Sequence, residues 1–147
     1  MAPANPAVRS HELEVEMSKH RLLLASATLM LVVSVAFAAS DRHVRAPLEP
    51  NGGSGITGFV QLTQLPHGGS NLVMSISGLE PGSDYATFYY ESTDCSAPAD
   101  PFHAFTADDR GRATVQGKID EDVDEVGSVS VRVGPGYGDL LACARIH

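Results

Sequence analysis

Residues 70–91 read SNLVMSISGLEPGSDYATFYYE. Leu72, Met74 and Ile76 alternate with Val73, Ser75 and Ser77, the period of two that fits a strand buried on one face. Leu79-Glu80-Pro81-Gly82 then reads as a turn: Pro sets φ at the first corner and Gly permits φ > 0 at the second. Tyr85 to Glu91 follows as an aromatic-rich strand. Strand, tight turn and strand within so few residues set the reading for what flanks them.

Working outward, the same pattern recurs. Ile56 to Leu62 is a strand candidate upstream. Downstream, an irregular stretch from Ser92 to Pro101 precedes a short strand, His103 to Thr106, ended by a turn at Asp108-Asp109-Arg110-Gly111. Ala113, Val115, Gly117 and Ile119 share one face of the next strand. An acidic loop leads to Val129, Val131 and Val133, which alternate with Ser128, Ser130 and Arg132. Gly134-Pro135-Gly136-Tyr137-Gly138 turns the chain into Leu140 to Ile146. About seven short strands with turn chemistry between them predict an all-β sandwich. Residues 39–147 show no amphipathic helical pattern and no internal repeat.

Length and composition agree. The 147 residues are 43% hydrophobic and 19% charged, one domain's worth of ordinary globular chain. Asp+Glu 18 against Lys+Arg 10 gives a net charge of −8. That balance argues against nucleic acid as a partner, because phosphate neutralisation needs clustered Lys and Arg. The absence of Trp and the presence of 2 Cys exclude a disulfide-dense mini-protein and a Cys-rich zinc module.

The N-terminal segment speaks to compartment. Leu22 to Ala39 is uncharged, Lys19, His20 and Arg21 precede it, and Ala36 and Ala38 form an A-x-A site at its end. These are the three parts of a secretory signal peptide, here residues 17–38 and helical, with cleavage expected after Ala38 or one residue later. The rival reading is a retained anchor, since the run approaches the minimum length for a bilayer span. Residues 1–16 carry Glu12, Glu14 and Glu16 where a signal should be positive. They read as an upstream extension before a start at Met17, or else as a long n-region. Cleavage removes Arg9, Lys19 and Arg21 with those three glutamates, so the net charge stays at −8. The product is expected to be secreted or periplasmic, with no membrane association once the signal is gone. Residues 39–55, with Pro47, Pro50, Gly52, Gly53 and Gly55, read as a flexible tether ahead of a domain over 56–147.

Cys95 falls in a loop and Cys143 in the last strand. Export favours an oxidised pair, which would stabilise the fold by about 4 kcal/mol in the chain-entropy model. Two buried free thiols are the alternative.

At this point the residues resemble a family. Gly78-Leu79-Glu80-Pro81-Gly82 before an aromatic strand, then Cys95, is similar to the G-L-x-P-G … C segment of copper/zinc superoxide dismutases. Gly138-Asp139-Leu140-Leu141-Ala142-Cys143-Ala144-Arg145-Ile146 is similar to that family's G-x-R-L-A-C-G-x-I ending, and Thr106 to Ala113 resembles its turn before a central strand. The resemblance runs from about Ile56 to Ile146. It implies a Greek-key, immunoglobulin-like β-sandwich of about seven or eight strands, with a disulfide from loop to last strand.

The departures bear on function. The family takes copper through an H-x-H pair on the strand after G-L-x-P-G. Here that strand, Asp84 to Glu91, contains no His. Phe88 has no donor atom, and the Tyr89 and Tyr90 phenols are neutral at pH 7 and poor ligands for a divalent metal. The family's zinc loop is replaced by a stretch offering His103 alone, with Asp94, Asp100, Asp108 and Asp109. Leu140 stands where the family's substrate-guiding Arg would be. His43, His67, His103 and His147 share no strand face at ligand spacing, so surface histidines are expected. Asp120 to Glu125 resembles a calcium loop but lacks the required Gly and twelfth-position Glu, and is expected to be a solvated acidic loop. Tyr85, Tyr89 and Tyr90 are a candidate binding surface. The expectation is a non-catalytic exported domain without cofactor or metal, binding an unknown protein or small molecule or serving a structural purpose. A divergent dismutase or other metal-binding protein, and a chordin-type exported β module, are the alternatives.

Overall fold

The alternation along residues 70–77 is realised in a strand. Leu72, Met74 and Ile76 are buried, with Asn71, Val73 and Ser75 on the outer side. The computed structural model describes residues 42–147. These form eight strands: β1 (His43–Pro50), β2 (Thr57–Gln64), β3 (Ser70–Ser77), β4 (Asp84–Tyr90), β5 (Asp100–Thr106), β6 (Arg112–Ile119), β7 (Ser128–Val133) and β8 (Leu140–Arg145). The upstream extension, the signal segment, Ala36 and Ala38 lie outside the described residues.

All pairings are antiparallel, in the order β5-β4-β7-β8-β1-β2-β3-β6. The terminal strands β5 and β6 meet along a seam. A Cβ on Gly117 of β6 would lie 2.9 Å from His103 Nε2 and 3.0 Å from Phe102 Cε2 on β5. The sheet is therefore almost closed on itself, and side chains of the two terminal strands shield part of each other's edges, one way of limiting edge-to-edge aggregation. Inside lie Val60, Leu62, Leu72, Met74, Val129, Val131, Ala142 and Ala144, all fully buried.

The tether expected over residues 39–55 is corrected by β1. Ala46 and Leu48 are buried on the inner face, a period of two that the flanking prolines disguise. Pro47 sits where β1 has only β2 beside it, and a proline, with no N–H to give, is tolerated in a strand with one neighbour. From His43 to Leu48 the strand pairs with β2; at Glu49 and Pro50 it passes to β8. Asn51 extends that contact, donating its backbone N–H to the Leu141 carbonyl at 2.8 Å.

The turn chemistry holds. Gly82 adopts φ +75° and Ser83 donates its N–H to the Glu80 carbonyl at 3.1 Å. Asp108 Oδ1 accepts from the N–H groups of Arg110 and Arg112 at 2.9 and 2.8 Å, and these bonds hold its carboxyl below the usual range. The acidic loop is more than a solvated strip. Val123 and Val126 are buried, and Asp122 Oδ1 accepts from Gln64 Nε2 and the Gly69 N–H at 2.6 and 2.7 Å. The loop thereby stops one end of the core and clips the β2–β3 hairpin. A further link, Arg42 to Asp124 at 2.9 Å, is an exposed ion pair of the kind that contributes little.

Candidate functional site

Strand β4 has a buried residue at five of its seven positions, so its tyrosines do not form one surface. Tyr85 is 7% exposed and stacks on Phe105, with centroids 5.7 Å apart; its hydroxyl accepts the Glu80 N–H at 2.9 Å. Tyr89 is half-buried against the same core. Tyr90 is 1% exposed and belongs to a separate cluster with Ala86, Phe88 and Cys95 on the opposite face. The shared binding surface expected at Tyr85, Tyr89 and Tyr90 is thus corrected. Successive strand residues point to opposite sides, and both sides of β4 are covered, one by the core and one by the Ser92–Ala99 loop.

The outer cluster is organised by Cys95 and Arg132. Cys95 is bonded to Cys143 of β8, with Cα atoms 6.1 Å apart. The backbone N–H of Cys95 donates to Ser128 Oγ at 3.0 Å, and Ser128 Oγ donates in turn to the Ser92 carbonyl at 2.6 Å. Arg132 of β7 is 8% exposed. Its Nε donates to Tyr90 Oη at 2.9 Å, Nη1 to the Gly138 carbonyl at 3.0 Å, and Nη2 to the Cys95 carbonyl at 3.1 Å. Tyr90 Oη and Ser130 Oγ are 2.8 Å apart. Above the guanidinium lies the Tyr137 ring, its centroid 3.9 Å away, and that ring meets Phe88 edge-on at 4.9 Å. Partial desolvation first, and the Tyr90 hydroxyl second, raise the phenol of the half-exposed Tyr137 above its ordinary value, against the lowering effect of the Arg132 guanidinium.

Arg132 forms no salt bridge with a carboxylate among the described residues. Carbonyl and phenol oxygens and the Tyr137 ring offset its desolvation instead. Sequence reasoning missed it. The alternation put Arg132 opposite the valines but gave no sign that its side of β7 is roofed. The one available signal was Tyr137 within a glycine-rich turn, able to fold back over the strand.

The histidines are scattered. His43 Nδ1 lies 3.1 Å from Thr63 Oγ1, His147 Nε2 lies 2.9 Å from the Val123 carbonyl, His67 is in an exposed turn, and His103 lines the seam. Among the described residues no three His, Cys, Asp or Glu side chains are grouped so as to hold a metal. The densest charge is a hollow of about 530 Å³ lined by Glu91, Asp120, Glu121 and Glu125. Glu121 Oε2 is buried there without a hydrogen-bond partner. Burial first, then Glu121 beside it, pushes the Tyr89 phenol well above its usual value.

The outer face of β4 and β7 therefore offers a fixed cation, aromatic rings and a disulfide. No imidazole and no pair of carboxylates stands on that face among the described residues. In comparison with known proteins, the chain matches no family model and no curated protein.

Proposed function

We propose that the chain is an exported, non-catalytic domain of superoxide-dismutase-like architecture whose purpose is binding or structural. The observation that carries this reading is the packing on the outer face of β4. On the strand where the family resemblance would put a copper pair, the outer face is closed: Phe88 and Tyr90 are covered by Arg132 and Tyr137. A cation fixed by three hydrogen bonds in that space opposes a second cation there.

The strand order supports the Greek-key sandwich. With β5 and β6 counted as neighbours across their seam, β4, β5 and β6 are consecutive and β7 returns beside β4, the defining arrangement of that motif. The Cys95–Cys143 bridge from loop to last strand supports the dismutase lineage over a chordin-type module. It is also compatible with an oxidising, extracellular environment, in keeping with secretion or a periplasmic location.

The test is metal uptake. The full chain, exported so that the bridge forms, is incubated with copper and zinc, desalted and assayed for bound metal and for superoxide dismutation. Occupancy below about a tenth of a metal per chain, with no dismutation, is expected; that threshold is far under the full occupancy of a structural or catalytic site. One tightly held copper or zinc per chain would overturn the reading in favour of a divergent metalloprotein.

A further inference from the structure

An open cleft of about 670 Å³ lies at the end of the sheet where the turn after β3, the β1–β2 loop and the end of β7 converge. Its volume falls within the range of small-molecule sites, about 300–1,000 Å³. One wall is apolar: Ile56, the Tyr85 ring, Leu141 and Val133. The rim carries two exposed carboxylates, Glu80 and Asp84, and no Lys, Arg or His lines the space.

Two details show that the apolar wall is built by the fold. The pairing of β7 with β8 runs from Val131↔Ala142 to Arg132↔Leu140. Leu141 is the extra residue, and such a bulge re-aims a side chain. The Leu141 carbonyl is held there by the Asn51 N–H and by Ser54 Oγ at 2.8 and 2.6 Å. Val133 is 45% exposed, and only Tyr137 among the large hydrophobic side chains described is left as open. Val133 continues the alternation of the buried Val129 and Val131, yet it lines the cleft with no covering partner. Asp84 is fixed as well, because its Oδ1 accepts from Thr106 Oγ1 at 2.7 Å.

We infer that this cleft binds a small amphiphilic ammonium ion, its charged head at Glu80 and Asp84 and its hydrocarbon body against Val133, Leu141 and Tyr85. Carboxylates only accept hydrogen bonds, and an ammonium head supplies donors with charge. Two carboxylates beside an apolar wall fall short of the six to eight oxygens a hard metal ion takes. The net charge of −8 favours the approach of a cation. The inference rests on the reading of the chain as a binding domain.

The probe is phenethylamine, titrated into the isotope-labelled exported chain and followed by amide chemical shifts. Its neutral analogue 2-phenylethanol serves as the control. The amine is expected to shift Tyr85, Gly134 and Leu141 saturably, with the alcohol binding at least about tenfold more weakly, as a lost charge-assisted contact implies. The isosteric double variant Glu80→Gln/Asp84→Asn should weaken the amine about tenfold and leave the alcohol unchanged. Val133→Ser should weaken both ligands. Equal affinity for amine and alcohol, an unaffected double variant, or shifts centred on Asp120–Glu125 would each overturn the assignment. Failure of amine binding without metal uptake overturns the cleft assignment and leaves the earlier reading standing; metal uptake strikes the earlier reading and leaves the cleft result standing.

Discussion

Arg132 donates through Nη2 to the carbonyl oxygen of Cys95, thirty-seven residues earlier in the chain, at 3.1 Å. Cys95 has φ +56°, a left-handed backbone that a side-chain-bearing residue seldom adopts. Its carbonyl is held by Arg132, its N–H by Ser128 and its sulfur by Cys143. Three residues on two strands, β7 and β8, thus hold the cysteine in a conformation that it would not keep alone.

The coupling of Arg132 with Tyr90 is measurable by a double-mutant cycle. Tyr90→Phe removes the acceptor of Nε in a buried cluster and should cost about 2 kcal/mol in urea unfolding, the scale of an unsatisfied charged donor. In an Arg132→Met background the same change should cost under about 1 kcal/mol, because no charge is left stranded. Equal costs in the two backgrounds would show that the cation does not depend on the phenol.

Replacing both Cys95 and Cys143 by Ser removes a link across 48 residues. Loop-closure entropy predicts a loss of about 4 kcal/mol, an upper figure for the effect. Chemical unfolding of the oxidised chain, with and without reductant, checks it; a wild-type chain indifferent to reductant would exclude a stabilising bridge.

Gly117 closes the seam. Its Cβ position is 2.9 Å from His103 Nε2 and 3.0 Å from Phe102 Cε2, so Gly117→Val must displace the Phe102 and His103 side chains that span from β5. The expected cost is about 1–3 kcal/mol, as for overpacking elsewhere. Thr114→Val on the outer face of the same strand should be near neutral by comparison. A neutral Gly117→Val would mean the seam is loose.

Alkaline stability follows from Tyr89. Its phenol titrates higher in the folded chain than the ordinary value of 10.0, through burial first and then Glu121. A raised value favours the fold while the unfolded phenol is protonated. That contribution is complete below about pH 10 and is lost as pH rises beyond it. Wild-type stability should therefore fall more steeply above pH 10 than that of Tyr89→Phe. Phenolate absorbance should show Tyr89 ionising later than exposed tyrosine. Parallel pH profiles of the two proteins would refute this.

The strands that carry unbroken alternation were legible in the sequence, as Leu72/Met74/Ile76 and Ala113/Val115/Ile119 illustrate. The first strand was not: Pro47, Pro50 and the glycines after them read as linker, while the buried pair Ala46 and Leu48 is too short a signal to outweigh them. Val133 shares the alternation of Val129 and Val131 but is the exposed last residue of β7, and alternation along one strand does not tell where the layer that covers it stops. The tyrosines were taken together because they are adjacent in sequence, yet Tyr89 and Tyr90 face different sides. Nor could the roof over Arg132 be read, since it depends on a turn folding back.

The handover of β1 from β2 to β8 also bears on timing. The first described strand cannot find one of its neighbours until the last strand has been made, so the long-range pairing that completes the sheet comes late, and non-local pairing of this kind slows folding. A chain that stays open until its final residues emerge remains threadable through a narrow channel for longer. Slow closure of this sort suits the export proposed above, with the Cys95–Cys143 bond to lock the result on the far side.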